Sequence, residues 1–170
     1  MGKEIWDAYL SNGEKAGIDL VRGELIPEGL YHLVVDVAIR HVDGDFLLMK
    51  RSQNKATYPG LYELSAGGSA LKGETPFDAA KRELFEETGI VLDKFEVVNN
   101  FVQEKNKAIY YEFYGITDWD KNSILCQEGE TEGFAWASEE DVKQLFQEGK
   151  VIASCIRRKK KVFTWCEETP

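Results

Sequence analysis

Between Gly68 and Ile90 the chain runs GSALKGETPFDAAKRELFEETGI, and Arg82, Glu83, Glu86 and Glu87 fall on what reads as one helix. At about 100° per residue the three glutamates lie within an arc of roughly 100°, so they share a face. Like charges three and four residues apart destabilise a helix by roughly 0.2–0.5 kcal/mol per pair, and a divalent cation is the obvious remedy. Glutamate oxygens suit hard ions, Mg²⁺ or Mn²⁺, and Mg²⁺ typically bridges one or two carboxylates and the phosphate oxygens of a substrate. Phosphoryl transfer is the chemistry that benefits, because it is accelerated mainly by positioning and by neutralising charge on oxygen. Glu74, ahead of the helix, can reach toward the same cluster, and Arg82 can pair with Glu86 one turn on. The competing reading is structural: exposed helix acids paired with Arg82 and nearby lysines.

The helix that carries these groups has clear ends. Thr75-Pro76-Phe77-Asp78 supplies a cap, a proline at the first helical position and an acid where a capping box places one, and Gly89 supplies the stop. Ala80, Leu84 and Phe77 form its expected core-facing side. Upstream, residues 4–21 read as two strands around Ser11-Asn12-Gly13. Tyr31 to His41 and Asp45 to Lys50 form a second hairpin around Asp43-Gly44. Pro59-Gly60 breaks the pattern; Leu61 to Ser65 is a short strand running into Gly67-Gly68, followed by a loop to Thr75. Downstream, Val91 to Gln103 and Ala108 to Thr117 are strands joined near Lys105-Asn106, and an acidic loop, Glu128 to Glu132, precedes Phe134 to Trp136. Ser138 caps a helix reaching about Gln147, ended by Gly149. Residues 151–166 read as a last helix, whose Arg157, Arg158, Lys159, Lys160 and Lys161 form a solvated face in preference to an anion site. Strands on both sides of one central helix, with a second helix behind, indicate an α+β sandwich.

The chain has 170 residues, 43% hydrophobic and 30% charged, which suits one folded core. A single domain is expected: a hairpin extension over 1–27, a core over 28–150 and a helical tail over 151–170. The formal net charge is −9, so the long-range field disfavours nucleic acid polymers and anionic membrane surfaces. It also repels a small phosphate ester, and a bound cation must invert the local sign. Cys126, Cys155 and Cys166 share no metal-ligand spacing and are odd in number, which points to a reducing cytoplasm, although Cys155 and Cys166 are candidates to meet. No apolar stretch is long enough for a membrane span.

The spacing carries more than the composition does. Gly68, Glu74, Arg82-Glu83-Leu84, Glu86-Glu87 and Gly89-Ile90 resemble the signature box of the Nudix family at every defined position. A chance match would arise about once in ten million chains of this length. The resemblance implies an α/β/α sandwich with a mixed sheet, one or more bound Mg²⁺ ions, and hydrolysis of a diphosphate linkage in a nucleoside diphosphate derivative or similar small molecule. Glu86 and Glu87 would be metal ligands, Glu83 a ligand or the base that deprotonates water, and Arg82 the orienting partner. Gly67 or Gly68 would offer a carbonyl to the metal. Glu130, six residues before Trp136, has the placement of a further ligand or base in the family, with Glu128 and Glu132 as rivals. Arg51 is a candidate for a substrate phosphate.

Outside the box the resemblance is to the branch containing isopentenyl diphosphate isomerase, through Glu4-Ile5-Trp6-Asp7, His32, Lys50-Arg51-Ser52 and Tyr58-Pro59-Gly60. Where that enzyme carries a cysteine this chain has Gly67, and Ser69 and Leu25 stand where it carries metal-site histidines. The intact Arg-Glu-Leu-x-Glu-Glu core favours hydrolysis, leaving isomerase-like activity and a silent nucleotide-sensing module as alternatives. Trp6, Tyr9, Tyr110 and Tyr114 are expected to fill the core in preference to stacking on a base. The N-terminal strand pair is a candidate surface for a homodimer.

Overall fold

The computed structural model describes residues 2–168. β1 (Ile5–Tyr9) and β2 (Lys15–Val21) form an antiparallel hairpin of their own, with Trp6 opposite Leu20. The remaining strands form one mixed sheet: β3 (His32–His41), β4 (Phe46–Arg51), β5 (Tyr62–Leu64), β6 (Ala66–Ser69), β7 (Glu96–Gln103), β8 (Ala108–Thr117) and β9 (Thr131–Ala137). β3 is its spine, parallel to β8 along its whole length and antiparallel to β6 and β4. β4 pairs in turn with β5 and β9, and β7 pairs with β8.

Period-two alternation divides the core into two layers. Leu33, Val35, Val37 and Ile39 of β3, with Leu47 and Met49 of β4, pack under Ala79, Ala80 and Leu84 of α1 (Pro76–Thr88). Ala38, Phe46 and Leu48 face the other way, against Val142 of α2 (Glu139–Gln147) and Ile156 of α3 (Ala153–Arg157). This is an α/β/α sandwich with an N-terminal hairpin, as expected. Trp6, Ala8 and Leu20 of the hairpin form a small cluster of their own, and Tyr9 joins the layer beneath α1. Among the described residues no helix is long and apolar enough to cross a membrane.

Several expectations change. The tail is not one helix over 151–166: α3 stops at Arg157, turns follow, and a 3-10 segment covers Thr164–Glu168; residues 169–170 lie outside the described residues. The basic run is a solvated face only in part: Arg157, Lys160 and Lys161 are exposed, but Lys159 is fully buried and Arg158 largely so. A run of five like charges read as a helix surface takes no account of two carboxylates waiting in the sheet beneath it. Gly67-Gly68 lie within a strand, not beyond one, and β7 begins at Glu96, five residues later than the apolar pattern suggested. Phe77 stays 36% exposed, edge-on to Phe95, so it borders the core without entering it.

Candidate active site

α1 is fixed at both ends. Thr75 Oγ1 accepts from the Asp78 backbone N–H at 3.1 Å, and Asp78 Oδ2 accepts from the Thr75 backbone N–H at 3.2 Å, closing the capping box. Gly89 terminates the helix at φ 78°, a left-handed conformation that favours glycine. With Ala79, Ala80 and Leu84 buried against the sheet, the adjoining face carries Glu83, Glu86 and Glu87, of which only Glu86 is exposed. A Cβ at Gly68 would meet the Glu83 carboxylate and displace it, so glycine here lets that carboxylate lie against the strand. At Gly67 a Cβ would stand 2.9 Å from the Val35 carbonyl oxygen.

Arg82 organises one side of the group. Its Nε and Nη2 donate to the two Glu74 oxygens at 2.6 and 2.9 Å, and its Nη1 to Glu83 Oε1 at 2.8 Å and Glu86 Oε2 at 3.2 Å. Nη2 also donates to the Ser69 carbonyl at 3.1 Å, tying helix to strand. Burial alone would raise the Glu74 pKa, but Arg82 and the Leu71 N–H hold it below the usual value. Glu83 is raised, chiefly by burial, against the pull of Arg82.

Glu87 sits differently. Its carboxyl is pushed well above the ordinary range, first by desolvation and then by Glu63 and Glu83, with Glu130 adding to the effect and a backbone contact to Gly67 opposing it. Glu130 is near enough for its charge to act on Glu87, and its Oε2 accepts from Lys55 Nζ at 2.5 Å. Its rivals are elsewhere: Glu132 accepts from the Gln53 N–H at 3.2 Å and pairs with Lys50, and Glu128 is exposed. Arg51 donates through Nη1 to both Glu63 oxygens, at 3.2 and 3.1 Å, and through Nε to the Thr57 carbonyl. Among the described residues no three of these carboxylates converge as a ready ligand set. Arg82 draws Glu83 and Glu86 to itself, so the shared helical arc does not by itself gather their oxygens.

Glu63 was not among the residues singled out from the sequence. The signal was there in the alternation Tyr62-Glu63-Leu64, which sends the acid to the α1 side of the sheet while its neighbours join the opposite layer. Arg51 and Glu63 line a cleft of about 470 Å³ together with Gly67, Gly68, Tyr110 and Arg158.

A family model for the NUDIX domain matches residues 30–158. The chain belongs to the Nudix family. It is 33% identical over 149 residues to an uncharacterized Nudix hydrolase of Listeria monocytogenes, covering 88% of each chain. This Nudix chain is accordingly a pyrophosphohydrolase. A crystal structure from Deinococcus radiodurans shares the fold at a TM-score of 0.70 and 19% identity, over 97% of this chain and 98% of that one. The NUDIX domain of Shewanella oneidensis NrtR, solved in complex with ADP ribose, shares it at 0.60 and 17% identity, over 81% and 87%.

Proposed function

We propose that the protein is a divalent-cation-dependent hydrolase that cuts a diphosphate linkage in a nucleoside diphosphate derivative or a similar small molecule. The observation that carries this reading is Glu87, a desolvated carboxyl that lies in the field of Glu63, Glu83 and Glu130, with a backbone contact to Gly67 opposing them. Crowded like charge of this kind is costly and is relieved by a hard cation. Hard oxygen donors on a rigid helix fit Mg²⁺ or Mn²⁺. Glu83, Glu86, Glu87 and Glu130 are the ligands in this reading, with Glu63 added and the Gly68 or Gly67 carbonyl completing the set.

When bound, the cation neutralises the diphosphate oxygens and makes a water molecule more acidic. The chain's own groups do the rest. Arg82 holds Glu83 and Glu86 in place, and these two would serve among the ligands of a bound cation. Glu83 or Glu130 accepts the proton of the attacking water, both standing in the charge environment of Glu87. Arg51, at the cleft wall, takes a phosphate oxygen as well as Glu63.

An isomerase-like reading is favoured by one segment only, 63 residues at 38% identity to an isopentenyl-diphosphate Delta-isomerase of Corynebacterium diphtheriae, 37% of this chain and 34% of that one. Against it, the His32 ring stacks on Trp6 with centroids 4.3 Å apart, next to Ser69 Oγ at 3.3 Å, and burial lowers its pKa. His32 thereby anchors the hairpin to the sheet. We also propose that the cell compartment is the cytoplasm and the domain a single one.

The test is a panel of nucleoside diphosphate derivatives, ADP ribose among them, assayed with Mg²⁺, with Mn²⁺ and with chelator. Cation-dependent release of two phosphate-bearing products is expected. Conversion of isopentenyl diphosphate without bond cleavage at phosphorus would replace this reading with the isomerase, and nucleotide binding without turnover would replace it with a silent module.

A further inference from the structure

Arg158 and Lys159 follow α3 and lie over the parallel pair β3–β8, where the register sets Asp36 beside Glu112. Two carboxylates side by side on neighbouring strands repel each other. Lys159 Nζ donates to Asp36 Oδ1 at 2.8 Å, to Glu112, and to the Cys155 carbonyl at 3.3 Å. Arg158 Nη2 reaches Asp36 Oδ2 at 3.3 Å, and its Nε forms an ion pair with Glu112 Oε1 at 2.8 Å, off the hydrogen-bonding angle. Glu112 and Lys159 are both 0% exposed. Burial opposes the Lys159 ammonium, yet Asp36 and Glu112 outweigh it and hold its pKa above the ordinary value.

Taking four charges out of water costs several kcal/mol per ion, and apolar side chains of the same volume are often as stabilising. Stability alone therefore gives no reason for the set. What it does achieve is a guanidinium locked in one pose. Arg158 Cζ lies 4.8 Å from the Tyr110 ring centroid and 5.7 Å from that of Phe101, and its carbonyl accepts from Asn99 Nδ2 at 2.9 Å. Its Nη2 and Nε face Asp36 and Glu112. Arg158 lines the same cleft as Gly67, Gly68 and Glu63, and so does Lys105, an exposed residue at the β7–β8 turn that makes no ion pair or hydrogen bond among the described residues. In a chain of net charge −9, a pinned arginine and an uncommitted lysine on one cleft wall invite a dianion.

We propose that Arg158 and Lys105 form an anion subsite that selects diphosphate substrates carrying an additional phosphate monoester beyond the scissile linkage. This rests on the diphosphate-hydrolase reading only for the nature of the rest of the substrate. Arg158 supplies the fixed planar donor and Lys105 the mobile charge, while Asp36, Glu112 and Lys159 are positioning residues. The monoester is recognised as a spectator, and no bond to it forms or breaks.

The decisive measurement is calorimetric binding, with metal chelated so that no turnover intervenes, of compounds differing by one phosphate: NADPH against NADH, and coenzyme A against dephospho-coenzyme A. The protein should bind the phosphate-bearing member of at least one pair about tenfold more tightly. Arg158→Gln and Lys105→Gln should each reduce that preference to about twofold or less without weakening the phosphate-free member. Lys105 sits on an open turn, so its variant tests the subsite even if Arg158→Gln fails to fold. Members of every pair binding alike, or not at all, overturn the proposal, as does a preference that survives Lys105→Gln. Turnover of the same compounds with Mg²⁺ is read separately. Preference without turnover removes the hydrolase reading and leaves the subsite, and turnover without preference removes the subsite alone.

Discussion

On the α1 side of the sheet Glu63, Glu74, Glu83, Glu86, Glu87 and Glu130 meet three cations, Arg51, Arg82 and Lys55. On the α3 side Asp36 and Glu112 meet two, Arg158 and Lys159. The first group is lopsided and partly open to solvent; the second is balanced and mostly buried, with Arg158 and Asp36 reaching the cleft. A balanced cluster neutralises itself and fixes Arg158 at the cleft, whereas a surplus of carboxylates leaves charge that a cation can offset. The difference separates a part of the protein that fixes the pose of Arg158 from the part where the proposed cation would bind.

The largest effect expected from this contrast is catalytic. Glu87→Gln and Glu86→Gln should each lower kcat/KM by roughly 10²- to 10⁴-fold on whichever diphosphate the panel identifies. Glu87→Gln should at the same time unfold no more easily than the parent, since it removes a desolvated charge crowded by Glu63 and Glu83. Full activity in both variants would mean that the surplus acid has no chemical use.

On the balanced side the expectation is reversed. Lys159→Met leaves Asp36 and Glu112 side by side in the core with Arg158 alone, and should cost about 3–5 kcal/mol in urea unfolding. A loss below about 1 kcal/mol would show that the cluster is relieved by water and is not a closed unit.

Adding metal probes the same contrast from outside. Mg²⁺ at about a hundred times its dissociation constant should stabilise the fold by about 2.7 kcal/mol through mass action. The rise in melting temperature should be lost in Glu87→Gln and kept in Lys105→Gln. A shift that persists in Glu87→Gln would place the cation outside the α1 group.

How much of this was legible beforehand follows from the range of each interaction. α1 was read to within its caps because Thr75, Pro76, Asp78 and Gly89 act on neighbours a few residues away. β8 was read to its ends because its aromatic and β-branched run is bounded by turns. Glu74 and Arg82 were rightly brought to one place, but the sequence alone did not show that Arg82 also engages Glu83 beside its pairing with Glu86. Lys159 was misread because its partners are 47 and 123 residues away, and only the β3–β8 register brings those two together. Glu63 escaped notice for the same reason: a lone acid in a three-residue strand acquires meaning when α1 packs across it.

The smallest effect concerns the cap that sets the α1 helix. Thr75→Ala removes the acceptor for the Asp78 N–H and one side of the capping box, which typically costs about 1 kcal/mol, or roughly 2–4 °C in melting temperature for a chain of this size. The capped end lies a full turn before Glu83, and Ala79, Ala80 and Leu84 still seat the helix in the core. The stabilisation by Mg²⁺ should therefore be the same in Thr75→Ala as in the parent. If that increment shrinks along with the melting temperature, the carboxylates depend on the cap for their placement, and the surplus-charge side of the molecule is positioned by local helix chemistry more than by the sheet beneath it.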